Sequence, residues 1–89
     1  MMELVYSDGF LRSARSLPKP QQRKLAMLLE TLREDPYHPS LHTKRLSGPL
    51  AGFFSFRITR DWRVMFQFNG PAALQLLRVA NRKDIYRQR

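Results

Sequence analysis

The chain has 89 residues, 43% of them hydrophobic, and no cysteine, which allows one small core and excludes a disulfide framework and thiolate chemistry. Lys and Arg number 16 against 7 Asp and Glu, and the excess is lopsided: residues 1–35 carry six basic and five acidic side chains, residues 36–89 ten and two. Such a field favours a polyanion, nucleic acid first, with an acidic protein or an anionic surface next. Glu3 and Asp8 interrupt any leader-like start and no apolar run reaches membrane-spanning length, so one cytoplasmic domain covering residues 1–89 is expected, with no membrane partner.

In chain order, residues 3–6 are short and mixed and read as a strand, and Ser7 and Asp8 have the chemistry of a helix N-cap. Phe10, Leu11, Ala14 and Leu17 then recur at helical spacing. Pro18 and Pro20 break that helix and open a second, whose apolar stripe is Leu25, Leu28, Leu29 and Leu32 and which Pro36 ends. Two helices with a short connection read as an antiparallel hairpin packed on a core. Residues 36–52, rich in Pro, Gly, His and Ser, read as a surface loop with Lys44, Arg45 and Leu46 briefly ordered at most. His38 and His42 have a metal-ligand spacing for a helix, but Pro39 lies between them and no third ligand is evident, so no metal is expected.

The organising stretch is residues 52–68. Phe54, Phe56, Ile58, Trp62, Val64, Phe66 and Phe68 are all even-numbered and apolar, while Ser55, Arg57, Thr59, Arg63 and Gln67 are odd-numbered and polar. That alternation predicts two antiparallel strands joined by a turn at residues 59–61, with Ile58 opposite Trp62, Arg57 opposite Arg63, Phe56 opposite Val64 and Phe54 opposite Phe66. Asn69, Gly70 and Pro71 signal the next turn, and residues 74–80 a third strand, whose adjacent Leu76 and Leu77 imply a bulge or burial on both faces. The fold class is therefore α+β: an N-terminal strand, a helical hairpin, an antiparallel three-stranded meander and a short C-terminal tail. The helices cover the Phe54/Phe56/Val64/Phe66 face, and the Arg57/Arg63 face is left open.

Two guanidiniums side by side repel one another unless fully solvated or joined by an anion. The open face also offers Arg82 and Tyr86, with Lys44, Arg45 and Arg60 near the rim, Ser55 on the same face, and Lys83 and Arg87 in the basic tail. Converging arginines without carboxylates suit phosphate, whether held as a backbone or stabilised in a phosphoryl transition state. No cofactor is implied.

Residues 50–59, the run Trp62-Arg63-Val64-Met65-Phe66 and residues 81–87 resemble the RelE/ParE superfamily of bacterial toxins, nearest the RelE and YoeB branches, over nearly the whole chain. The resemblance implies a RelE-like fold and the toxin of a type II toxin–antitoxin pair, which enters the ribosomal A site and cleaves mRNA without metal, leaving a 2′,3′-cyclic phosphate. It implies that Arg63 stabilises the phosphate in the transition state, that Arg82 clamps or protonates the leaving group, and that Tyr86 serves in acid–base chemistry or stacks on a base. Arg57 matches a basic side chain of the preceding strand. Some relatives have a lysine where Ser55 stands, a glutamate base where this chain has Lys44 and Arg45, or a histidine near the tyrosine where it has Asn81 or Asp84. No general base is then evident, since arginine stays protonated at any physiological pH. The alternatives are a ParE-like, non-enzymatic inhibitor of DNA gyrase and a plain RNA-binding module. All three imply a cognate antitoxin, held in a hetero-oligomer, whose segment wraps the helices and covers the open face.

Overall fold

The computed structural model describes residues 1–86. Strand β1 (Glu3–Tyr6) leads into helix α1 (Asp8–Arg15) and helix α2 (Lys19–Glu34). Strands β2 (Lys44–Arg45), β3 (Phe54–Arg57), β4 (Trp62–Phe68) and β5 (Ala73–Asn81) follow, with 3-10 turns at Pro39–Leu41 and Gly48–Leu50. Among the described residues no helix is long and apolar enough to cross a membrane.

Local chemistry sets the helix boundaries. Ser7 Oγ accepts from the Phe10 N–H at 3.1 Å, satisfying one of the donors a helix start leaves open. Gln22 Nε2 donates to the carbonyls of Arg15 and Leu17 at 3.1 and 2.8 Å, which ties the short connection between the helices. Pro20 lies in the first turn of α2, where its missing N–H costs nothing.

The five strands run in the order β1-β5-β4-β3-β2, with β1 parallel to β5 and every other pair antiparallel. The central hairpin has the expected register: Phe54 pairs with Phe66, Phe56 with Val64 and Arg57 with Arg63, and the Ile58 N–H donates to the Trp62 carbonyl at 2.9 Å. Gly70, at φ 81°, takes the left-handed turn between β4 and β5 that a side chain would strain. The doubled leucine is a bulge, with Leu76 fully buried in the main core and Leu77 partly buried on the other face. Met65 pairs with Arg78 and Phe66 with Leu76, so Leu77 is the extra residue. Helix α1 supplies the polar groups this irregular stretch uses: Ser7 Oγ donates to the Leu77 carbonyl at 3.0 Å, and Ser13 Oγ accepts from the Val79 N–H at 2.9 Å.

The main core lies between sheet and helices. Phe10, Leu25, Leu28 and Leu32 from the helices meet Phe56, Val64, Phe66, Leu74 and Leu76 from the sheet. Two features depart from the expected architecture. Lys44 and Arg45 form an edge strand rather than part of a loop, pairing with Ser55 and Phe54. The second face is also only partly open: Leu46, Met65 and Ile85 are buried together there, with Leu50, Phe53, Leu77 and Ala80 packed around them. Met65, odd-numbered and apolar, is the reason, because strand alternation turns it away from Val64 and Phe66 and it needs its own cover.

Candidate functional site

The uncovered part of that second face is a cavity of about 170 Å³ lined by His42, Lys44, Ser55, Arg57, Arg63 and Tyr86. Its floor follows from the ladder. Lys44 pairs with Ser55 across β2 and β3, and Arg57 with Arg63 across β3 and β4, so alternation turns all four side chains to one face. Tyr86 arrives from the turn after β5. Ile85, fully buried beside Leu46 and Met65, anchors that turn, and Arg78 Nη2 donates to the carbonyls of Asp84, at 3.1 Å, and of Ile85. Tyr86 thereby stands with its hydroxyl 3.3 Å from Ser55 Oγ and its ring centroid 5.8 Å from Lys44 Nζ.

Among the described residues three cationic side chains line the cavity and no carboxylate does. Arg63 Nη1 donates to the Thr59 carbonyl at 3.0 Å, which fixes its guanidinium at the base of the hairpin turn. Arg57 Nε is buried and has no hydrogen-bond partner among the described residues. A buried guanidinium donor without an acceptor, facing a second guanidinium, is a site short of an anion. Ser55, only 2% exposed, adds a hydroxyl that can donate to a bound oxygen. Among the described residues no group of three or more His, Cys, Asp or Glu could hold a metal ion.

Of the residues singled out from sequence, the fold thus brings together Lys44, Ser55, Arg57, Arg63 and Tyr86. Arg45 goes elsewhere: one position along from Lys44, it points to the opposite face, with its guanidinium carbon 5.9 Å from the Phe54 ring centroid. Arg82 is drawn to the hairpin turn, where its N–H donates to the Asp61 carbonyl at 2.7 Å and its Nε lies 3.9 Å from Asp61 Oδ1. Arg60 is exposed in that turn, and Lys83 is exposed with its N–H on Asn81 Oδ1 at 3.0 Å; neither lines the cavity. Arg87 lies outside the described residues. Sequence reasoning missed His42 as a lining residue, having weighed it only as a metal ligand, and missed Arg78 as the strut under Tyr86. The signal for His42 was its place two residues before Lys44 at the edge of the sheet.

A sheet backed by two helices on one face, with a cavity on the other that three cationic side chains and, among the described residues, no carboxylate line, makes this a small α+β protein with a cationic open face. No family model and no curated protein matches the sequence. Solved structures do match. A YoeB/ParE toxin from Agrobacterium tumefaciens is 20% identical, with a TM-score of 0.78 over 90% of this chain and 98% of that one. YafQ from E. coli strain BL21(DE3) is 16% identical, with a TM-score of 0.78 over 98% and 100%. The RelBE2 toxin–antitoxin complex from Mycobacterium tuberculosis contains a chain 26% identical, with a TM-score of 0.69 over 91% and 98%. The fold is that of the RelE/ParE toxins.

Proposed function

We propose that the protein is the toxin of a toxin–antitoxin pair and acts as an endoribonuclease on mRNA in the ribosomal A site. The observation that carries this reading is the cavity itself: Lys44, Arg57 and Arg63 converge with no carboxylate beside them among the described residues, and a tyrosine hydroxyl reaches the same space. In the proposed reaction the RNA 2′-oxygen attacks the adjacent phosphorus, the P–O5′ bond breaks, and a 2′,3′-cyclic phosphate and a 5′-hydroxyl end result. Negative charge grows on the non-bridging oxygens, where Arg63, braced by Thr59, and Arg57, with its unused Nε, donate. Lys44 adds a mobile charge at the rim, and the Tyr86 hydroxyl protonates the departing 5′-oxygen. Arg82, Arg60 and Lys83 contact the RNA backbone outside the cavity, with Arg45, on the opposite face, contributing only field at longer range.

An antitoxin belongs to the same reading, and the relative from M. tuberculosis is described as a toxin–antitoxin complex. An apolar groove of about 270 Å³ runs between α1 and α2, with Phe10, Leu11, Ala14 and Leu25 in its walls and Arg15 beside them. An amphipathic, acidic helix fits that chemistry.

Primer extension on mRNA in a purified translation system, with and without ribosomes, tests the proposal. Cuts that require ribosomes and that Arg63→Ala reduces by about a hundredfold are expected. A folded wild-type protein that makes no cuts, with or without ribosomes, overturns the enzyme reading and directs attention to gyrase inhibition and to salt-sensitive RNA binding without cleavage.

A further inference from the structure

The two histidines of the loop before β2 have different surroundings. His38 is occupied locally: its Nδ1 accepts from the Ser40 N–H at 3.1 Å and lies 2.9 Å from Ser40 Oγ, capping the 3-10 turn at Pro39–Leu41. His42 follows that turn and lines the cationic cavity, and no described residue hydrogen-bonds its ring. Its backbone is left-handed, at φ 50° and ψ 45°, the only non-glycine residue among the described ones with positive φ. Such a conformation costs on the order of 1 kcal/mol or more and tends to persist where the surrounding structure uses it.

The remaining lining groups define what is missing. Lys44 from β2, Arg57 from β3 and Arg63 from β4 are donors that carry their protons already, and Ser55 and Tyr86 bear hydroxyls. Alcohols and phenols hold their protons at neutral pH, whereas imidazole exchanges one between about pH 5 and 8. Among the described lining residues, imidazole is the one side chain whose ordinary chemistry is to accept a proton near neutral pH, and it belongs to His42.

We infer that His42 is the general base of this site, taking the proton from the attacking RNA 2′-hydroxyl. The inference rests on the endoribonuclease reading. As the 2′-oxygen–phosphorus bond forms, the 2′-hydroxyl proton passes to a ring nitrogen of His42; as the P–O5′ bond breaks, the 5′-oxygen takes the proton of the Tyr86 hydroxyl. Proton transfer through solvent from the imidazolium to the tyrosinate restores both groups. The step needs no further reactant.

The test is single-turnover cleavage of ribosome-bound mRNA by the full chain between pH 6 and 8.5. His42→Asn keeps a side chain that tolerates the left-handed backbone but cannot accept a proton. His42→Gly tolerates the same backbone and opens space for free imidazole. Wild type is expected to cut faster as the pH rises across neutrality, and His42→Asn to cut about a hundredfold more slowly and without that rise. His42→Gly is expected to regain activity with added imidazole, and His38→Asn to match wild type. A His42→Asn variant that keeps the wild-type rate and pH profile overturns the assignment of His42 while leaving the endoribonuclease intact. Activity lost in His42→Gly and not restored by imidazole also overturns it. A wild-type protein that cuts nothing overturns both readings together.

Discussion

Replacing Arg57 by methionine is expected to make the protein more stable and less active at once. Arg57 Nε is buried without a hydrogen-bond partner among the described residues, and the side chain stands directly across the ladder from Arg63. An unsatisfied buried donor costs about 1–3 kcal/mol, and like charges facing across a strand pair cost up to about 1 kcal/mol more. Methionine keeps most of the aliphatic stem and its packing while removing both penalties, so a net gain of about 1 kcal/mol is expected after some loss of contact. For a domain of this size that raises the melting temperature by about 4–8 °C. Thermal unfolding by circular dichroism in a buffer free of phosphate and sulfate measures it. Added inorganic phosphate should raise the wild-type melting temperature through mass action and raise that of Arg57→Met much less. Cleavage by the variant should fall by about a hundredfold, the cost of losing one preorganised donor. An Arg57→Met protein that melts below wild type in phosphate-free buffer refutes the idea that this pair is held in an unfavourable state awaiting an anion.

Tyr86→Phe keeps the ring beside Lys44 and removes only the hydroxyl near Ser55, so cleavage should drop at least tenfold in single-turnover assays while thermal stability changes by less than about 1 kcal/mol. Ser13→Ala removes the acceptor for the Val79 N–H and should destabilise the fold by about 1–3 kcal/mol in urea titrations, with faster amide exchange at Val79. Arg82→Ala breaks a 3.9 Å, half-exposed ion pair with Asp61 and should cost under about 1 kcal/mol; a strong loss of cleavage in that stable variant, measured beside Asp61→Ala, would place RNA against the hairpin turn. Arg78→Met frees the two carbonyls that hold the C-terminal turn and should reduce cleavage as much as Tyr86→Phe does, with limited proteolysis showing a looser turn.

The central hairpin was legible because its alternation is strict on one face: a slip of one residue would turn Phe54, Phe56, Val64 and Phe66 to solvent, so the pattern admits one register. The helix boundaries were legible for a similar local reason, since Ser7, Pro20 and Pro36 act within one turn of where they stand. What could not be read depends on partners distant in sequence. A two-residue strand at Lys44 and Arg45 has no periodicity of its own and is defined by Ser55 and Phe54. Met65 breaks the polar alternation, but its significance lay in Leu46 and Ile85, which close over it from either side of the meander. Arg82 was grouped with Arg57 and Arg63 by charge; the Asp61 carbonyl, twenty-one positions earlier, decides where its backbone goes. His42 was judged by its spacing to His38, an α-helical criterion in a segment that forms a short 3-10 turn instead.

The parallel pairing of β1 with β5 has a consequence for how the molecule forms. Glu3 pairs with Ala73 and Tyr6 with Leu76, and the cap that makes this junction, Ser7 Oγ to the Leu77 carbonyl, joins residues 70 positions apart. The meander of β3, β4 and β5 can assemble from near neighbours, whereas β1 and the α1 serines must wait for a strand made at the far end of the chain. Closing so large a loop before any contact rewards it places this step late and makes it slow. Substitutions at the junction, Ser13→Ala among them, should therefore speed unfolding while leaving the refolding rate nearly unchanged. Arg57 and Arg63 lie on the locally connected hairpin, so their pairing depends on no contact with the first strand.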